Sequence, residues 1–147
     1  MMEISTIEIL LIEDNSDESS LIAKIIENYE NNINITRIEN GLDAMDYLYK
    51  KGKYKHSKTP NLILLDLNLP KKDGREVLKE IKTDGRLRLI PVIVLTNSND
   101  DNDVFESYGH YANAYLTKPT DFDKFNRDIL VFGEFWLNNA TLPDYIG

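Results

Sequence analysis

Five residues with chemical capability stand directly behind short apolar runs. Glu13 and Asp14 follow IEILLI (7–12), Asp66 follows NLILL (61–65), Thr96 follows IPVIVL (90–95), and Lys118 lies just past ANAYL (112–116). Apolar runs of this length read as buried strands, so these side chains stand at strand ends. If the three acids meet, they repel. At about 5 Å and an effective dielectric near 20, one pair costs roughly 3 kcal/mol. A protein keeps such a cluster only with a raised pKa, a neighbouring lysine or a bound cation. An all-oxygen donor set without His or Cys suits a hard ion, Mg²⁺ before Ca²⁺, because there are too few carboxylates for a calcium cage. Mg²⁺ keeps coordination places open for substrate oxygens. A carboxylate nucleophile, a cation, a lysine and a hydroxyl donor together make a phosphoryl-transfer site. Taken singly, each part has a plainer reading: an Asp after a strand caps a turn, a Thr caps a helix, and a Lys before Pro is exposed.

The elements that must position these residues alternate. The runs behind Glu13, Asp66 and Thr96 are continuously apolar, which indicates strands covered on both faces of a parallel sheet. INITRI (33–38) alternates instead and fits a half-exposed edge strand. Between the strands lie helical periods. Leu21, Ile22, Ile25, Ile26 and Tyr29 mark the first, with Asn15 or Ser16 as N-cap. Leu42, Met45, Leu48 and Tyr49 mark the second. Val77, Leu78 and Ile81 mark the third, after a turn at Lys71–Gly74. Val104, Phe105 and Tyr108 mark a polar fourth. Phe122, Phe125, Ile129, Phe132 and Trp136 mark the fifth, entered by a Thr120-x-x-Asp123 capping box. Five β-α units predict an α/β, flavodoxin-like (βα)5 doubly wound parallel sheet of strand order 2-1-3-4-5. Its switch point lies between strands one and three, so Glu13, Asp14 and Asp66 should converge there.

The chain has 147 residues and a formal net charge of −8. That length suits one domain, 1–147, with a core over about 7–135 and a short extension over 136–147. The absence of cysteine excludes disulfides, Cys-ligated zinc, iron–sulfur clusters and thiol nucleophiles. The acidic balance speaks against a nucleic-acid partner. The first residues carry no positive leader and end in acids, unlike a signal peptide, and no window is long enough for a membrane span, so a cytoplasmic location is expected. Residues 50–58 (KKGKYKHSK) hold five of the 17 basic residues and read as a solvated loop or as an electrostatic handle for a partner.

The motifs IEDN (12–15), LLDLNLPKKDG (64–74), VLTN (94–97) and YLTKP (115–119) together resemble a response-regulator receiver domain of two-component signalling. The resemblance covers about residues 7–135. It implies that Asp66 is the phospho-acceptor, and that Glu13 and Asp14 bind Mg²⁺ with Asp66 and the backbone carbonyl of Asn68. It also implies that Thr96 is the switch hydroxyl, Lys118 the phosphate-binding lysine and Tyr115 the switch aromatic. By the same resemblance, Asn68 and Ser98 occupy positions that tune dephosphorylation, and Lys118–Pro119 shares a cis peptide. The stretch LILLDLNLPKKDGREVLKEIK (62–82), the basic loop before it and the ending EFWL…TLPD (134–144) resemble the single-domain regulators paired with bacterial phytochromes.

The resemblance implies a sensor histidine kinase as partner, of phytochrome type, and no enzymatic turnover beyond the protein's own phosphorylation and dephosphorylation. About a dozen residues follow Trp136, so output through protein contacts or phosphorelay is expected. Phe132, Phe135 and Trp136 cannot all face the core, which predicts a homodimer through the helix 4–strand 5–helix 5 face. Two rivals fit less well. Phosphatases with an Asp nucleophile carry a second Asp two residues on, where this chain has Asn68 after Asp66 and Ser16 after Asp14. A flavin-phosphate loop is rich in Ser, Thr or Gly, whereas EDNSDES (13–19) would repel a phosphate in the absence of a metal.

Overall fold

The computed structural model describes residues 6–29 and 32–144. The last three residues of the expected C-terminal extension therefore lie outside the described residues. The elements are β1 (Ile7–Ile12), α1 (Ser16–Glu27), β2 (Ile33–Ile38), α2 (Gly41–Leu48), β3 (Leu62–Leu65), α3 (Gly74–Thr83), β4 (Val92–Thr96), α4 (Asp101–Gly109), β5 (Ala114–Thr117) and α5 (Phe122–Gly133). Short 3₁₀ turns at Gly52–Tyr54 and Leu87–Leu89 lead into β3 and β4, and a π-helical turn, Glu134–Asn139, prolongs α5. The five strands are parallel in the order β2-β1-β3-β4-β5, as expected.

Side chains alternate across the strands, so each central strand feeds two cores. Leu10, Ile12, Ile63, Leu65, Val92 and Val94 pack with Met45, Leu48, Val77, Leu78 and Ile81 from α2 and α3. Ile9, Leu11, Leu62, Leu64, Ile93 and Leu95 pack on the other face with Ile22, Ile25, Ile26, Phe125, Ile129 and Phe132 from α1 and α5. Burial on both faces explains the continuous apolar runs. β2 is half-exposed, as its alternation predicts. On α4, only Ser107 is buried.

Two details differ from expectation. α5 is capped by Asp121, whose side chain accepts from the Asp123 amide, and not by Thr120. An Asp one residue nearer the helix fills the same need for an acceptor at the first free amides. No described peptide bond is cis, so Lys118–Pro119 is trans. At the start of α1, Asn15 supplies the cap, accepting from the Glu18 amide at 3.0 Å. No described helix is long and apolar enough to cross a membrane.

Candidate functional site at the carboxyl edge of the sheet

The ladder places the acids. Ile12 pairs with Leu65, so the next residues, Glu13 and Asp66, emerge side by side from adjacent strands. The Asp66 amide donates to the Ile12 carbonyl at 3.0 Å, and the Glu13 amide to the Ile38 carbonyl at 3.0 Å. Both side chains are buried while Asp14 is exposed. One carboxylate oxygen from each of Glu13, Asp14 and Asp66 lies within 4.8 Å of the others. This compact, all-oxygen set, with one member facing solvent, fits a divalent cation that retains water. Asp66 Oδ1 accepts from the Asn68 amide at 3.1 Å, which fixes the carboxylate's orientation.

The other strand ends complete the edge. Thr96 pairs with Thr117, and the Lys118 amide donates to the Thr96 carbonyl at 2.7 Å. Thr96 is fully buried. The Lys118 ammonium, also buried, donates to Glu13 Oε1, to Glu18 Oε2, and to Asp66 Oδ2 at 3.3 Å. Burial alone would depress the lysine, but the bonds to Glu13 and Glu18 and the charge of Asp66 outweigh it and raise its pKa. Glu13 moves the other way for an acid. Burial, reinforced by the adjacent Asp66 carboxylate and opposed by Lys118, pushes it up to about 8. The site is short of positive charge: several carboxylates share one ammonium.

Tyr115 is half-buried against the core cluster of α2 and α3, and its hydroxyl donates to the Ser98 carbonyl at 2.7 Å. Ser98 Oγ in turn donates to Asp103 Oδ2 at 2.6 Å, and Arg75 grips Asp103 with two bonds of 2.8 Å. Arg75 also reaches Asp73, the N-cap of α3, at 3.0 Å. The loop after β3, the start of α4 and Tyr115 are therefore joined by one polar chain.

All of the predicted site residues reach this edge: Glu13, Asp14, Asp66 and Lys118 as one cluster, Asn68 through its amide, and Thr96 and Tyr115 beside it. Glu18 is the residue that sequence reasoning missed. An acid in the first turn of a helix already has a sufficient explanation in the helix dipole, so nothing marked it as a partner of Lys118. The available signal was the charge imbalance itself, four acids in EDNSDES against one lysine at the rim.

The model of the response regulator receiver domain matches residues 9–129. The chain belongs to the response-regulator receiver family. It is 44% identical over 135 residues to the response regulator Rcp1 of Synechocystis sp. (strain ATCC 27184 / PCC 6803 / Kazusa), covering 92% of each chain. Among solved structures, the phosphorylated cyanobacterial phytochrome response regulator RcpA matches with a TM-score of 0.92 and 43% identity, over 95% of this chain and 100% of that one. The Mn²⁺-bound form of Rcp1 matches with a TM-score of 0.91 and 44% identity, over 93% of this chain and 99% of that one. The likeness to phytochrome response regulators expected from residues 62–82 and 134–144 is thus found. This is a receiver of two-component signalling, a class that works with sensor histidine kinases.

Proposed function

We propose that this receiver takes a phosphoryl group onto Asp66 from a phosphohistidine of a phytochrome-type sensor kinase, in a Mg²⁺-dependent reaction. The observation that carries the assignment is the convergence of Glu13, Asp14 and Asp66 within 4.8 Å, with the Lys118 ammonium 3.3 Å from Asp66. Asp66 Oδ attacks phosphorus, the P–N bond to the imidazole breaks with its electron pair leaving on nitrogen, and an acyl phosphate results. Glu13, Asp14, Asp66 and the Asn68 carbonyl would hold the ion, which when bound neutralises charge on the phosphoryl oxygens. Lys118 donates to one of those oxygens, and the Thr96 hydroxyl to another. Asn68 keeps the Asp66 carboxylate aimed through its amide.

The acyl phosphate brings about −1.5 to −2 charges and strong acceptors to the rim. As Thr96 turns toward it, the space beside β4 favours the inward Tyr115, whose hydroxyl bond to Ser98 sits at the start of α4. The α4–β5–α5 face then changes its contacts, with a second copy of the chain as one partner. Turnover is limited to the protein's own acyl phosphate. The test is labelling with acetyl phosphate and Mg²⁺, read by intact mass. Wild type gains one phosphoryl group, and Asp66→Asn gains none; stoichiometric labelling of that variant would place the acceptor elsewhere.

A further inference from the structure

We propose that Glu18 is a positioning residue that holds Lys118 in a resting arrangement and competes with the incoming phosphoryl group for its ammonium. The inference rests on the reading of Asp66 as acceptor and Lys118 as its phosphate-binding lysine. An ammonium has three N–H donors, and here they meet three carboxylates: Glu13, Glu18 and Asp66. Two of these three, Glu13 and Asp66, belong to the cluster that fits a divalent ion. Glu18 lies outside that cluster, so its only role at the rim is toward the lysine. It also differs in exposure: its side chain is 27% exposed, against 2% for Glu13 and 6% for Asp66. Glu18 thus stands at the rim over the lysine, on the solvent side. Asn15 fixes the first turn of α1 beneath it by accepting from the Glu18 amide.

For Lys118 to bond a phosphoryl oxygen, one of its three present bonds must be given up. The bond to Glu18 is the one whose loss leaves a carboxylate able to rehydrate, so it is the least costly to break. Glu18 therefore sets the threshold for recruiting Lys118. Removing its charge frees a donor and speeds phosphoryl uptake, while the fold is kept because Lys118 retains its bonds to Glu13 and Asp66.

The experiment measures the rate of Asp66 labelling against acetyl phosphate concentration at fixed Mg²⁺ for wild type, Glu18→Gln, Glu18→Asp, Lys118→Ala and the Glu18→Gln/Lys118→Ala double variant. A parallel readout, free of transfer chemistry, is the apparent Kd for beryllofluoride followed by fluorescence of Trp136, which lines the same groove as Tyr115. Glu18→Gln should label roughly fivefold faster and bind beryllofluoride roughly fivefold more tightly, a change of about 1 kcal/mol. Glu18→Asp, which keeps the charge, should fall back toward wild type. In the Lys118→Ala background the Glu18→Gln effect should vanish. An unchanged Glu18→Gln rate, with wild type labelling normally, overturns the proposal. So does an equal acceleration with and without Lys118, which would make Glu18 a bulk repeller of the donor. Failure of wild type to label would instead remove the Asp66 reading on which the proposal stands.

Discussion

At the residue scale, the chemistry turns on Glu13. Its folded-state pKa of about 8 stands above the ordinary 4.5 because burial and Asp66 disfavour its charge. The sign follows from linkage. Between pH 4.5 and 8 the metal-free native state binds more protons at this site than the unfolded chain, so stability from Glu13 is full below the ordinary value and is lost as pH rises toward 8. A divalent ion must displace that proton. Calorimetric Mg²⁺ titrations at pH 7 in buffers of different ionisation enthalpy should therefore show release of close to one proton, and Glu13→Gln should abolish the release while weakening binding. Proton-neutral binding by wild type would show that Glu13 is already ionised. Asp66, Glu13 and Lys118 were legible in the sequence because each follows a strand, and strand ends in a parallel sheet share one edge. Glu18 was not, because it sits in a helix and reaches Lys118 only through a tertiary contact 100 positions away. The raised pKa of Glu13 is equally hidden, since it depends on depth of burial and not on residue type.

At the element scale, the site depends on how α3 and α4 are tied down. Gly74 opens α3 against the acceptor loop: a Cβ there would stand 2.2 Å from the Asp66 carbonyl oxygen and 2.6 Å from Leu67 Cα. These are backbone atoms of the residue that reacts and of its neighbour, so Gly74→Ala should cost about 2–3 kcal/mol in urea unfolding and slow Asp66 labelling together. Loss of stability with labelling untouched would show that the loop can yield without moving Asp66. The Arg75–Asp103 pair fastens α4, which buries little of its own surface. The bonds from Arg75, helped by Ser98, hold the Asp103 carboxyl down to about 2. Its stabilising share is present above the ordinary value of 3.8 and lost as pH falls toward 2. The Arg75 side chain is 41% exposed, so solvent screening keeps the pair to about 1 kcal/mol. Asp103→Asn should accordingly speed amide exchange over Asp101–Gly109 roughly fivefold at neutral pH, with the global unfolding midpoint nearly unmoved; uniform acceleration across the sheet would argue for a global role. β1 and β2 are readable to the residue because β1 is an apolar run and β2 an alternation. The apolar run opens at Ala112, two residues before the observed strand β5, Ala114–Thr117, which is only half-buried. Asn113 just before it and Thr117 at its end blur the apolar pattern, and pairing with β4 supplies the boundary that hydrophobicity does not.

At the scale of the whole molecule, the two sides of the sheet are finished differently. The α1 side is closed: Gly133 leaves room for the Tyr29 ring, whose hydroxyl donates to the Leu130 carbonyl and joins α1 to α5. The β5 side is open. Among the described strands β5 pairs only with β4, and a groove of about 510 Å³ runs beside it, lined by Tyr115, Leu116, Val131, Phe132, Phe135 and Trp136. The tail covers part of this region, since Trp136, Leu137 and Leu142 pack on the α5-side core. It leaves Val131 69% exposed and Phe135 53% exposed, with Phe105 of α4 at 77%. Apolar groups at that density on one face favour burial against a partner. The face is also the one that Tyr115 adjoins, so self-association there would be coupled to the phosphoryl state of Asp66. Sedimentation equilibrium should show dimers at high micromolar concentration, with the population rising on addition of beryllofluoride and Mg²⁺. Val131→Glu places a charge on the exposed side of α5, far from Asp66 along the chain; it should return the protein to monomers while leaving the rate of Asp66 labelling within about twofold, the range expected of a surface change away from the reacting groups. A wild type that stays monomeric in both states would assign this face to a different protein partner, and a Val131→Glu variant that still dimerises would move the interface off α5. If labelling and association fall together in that variant, the second copy helps to build the site.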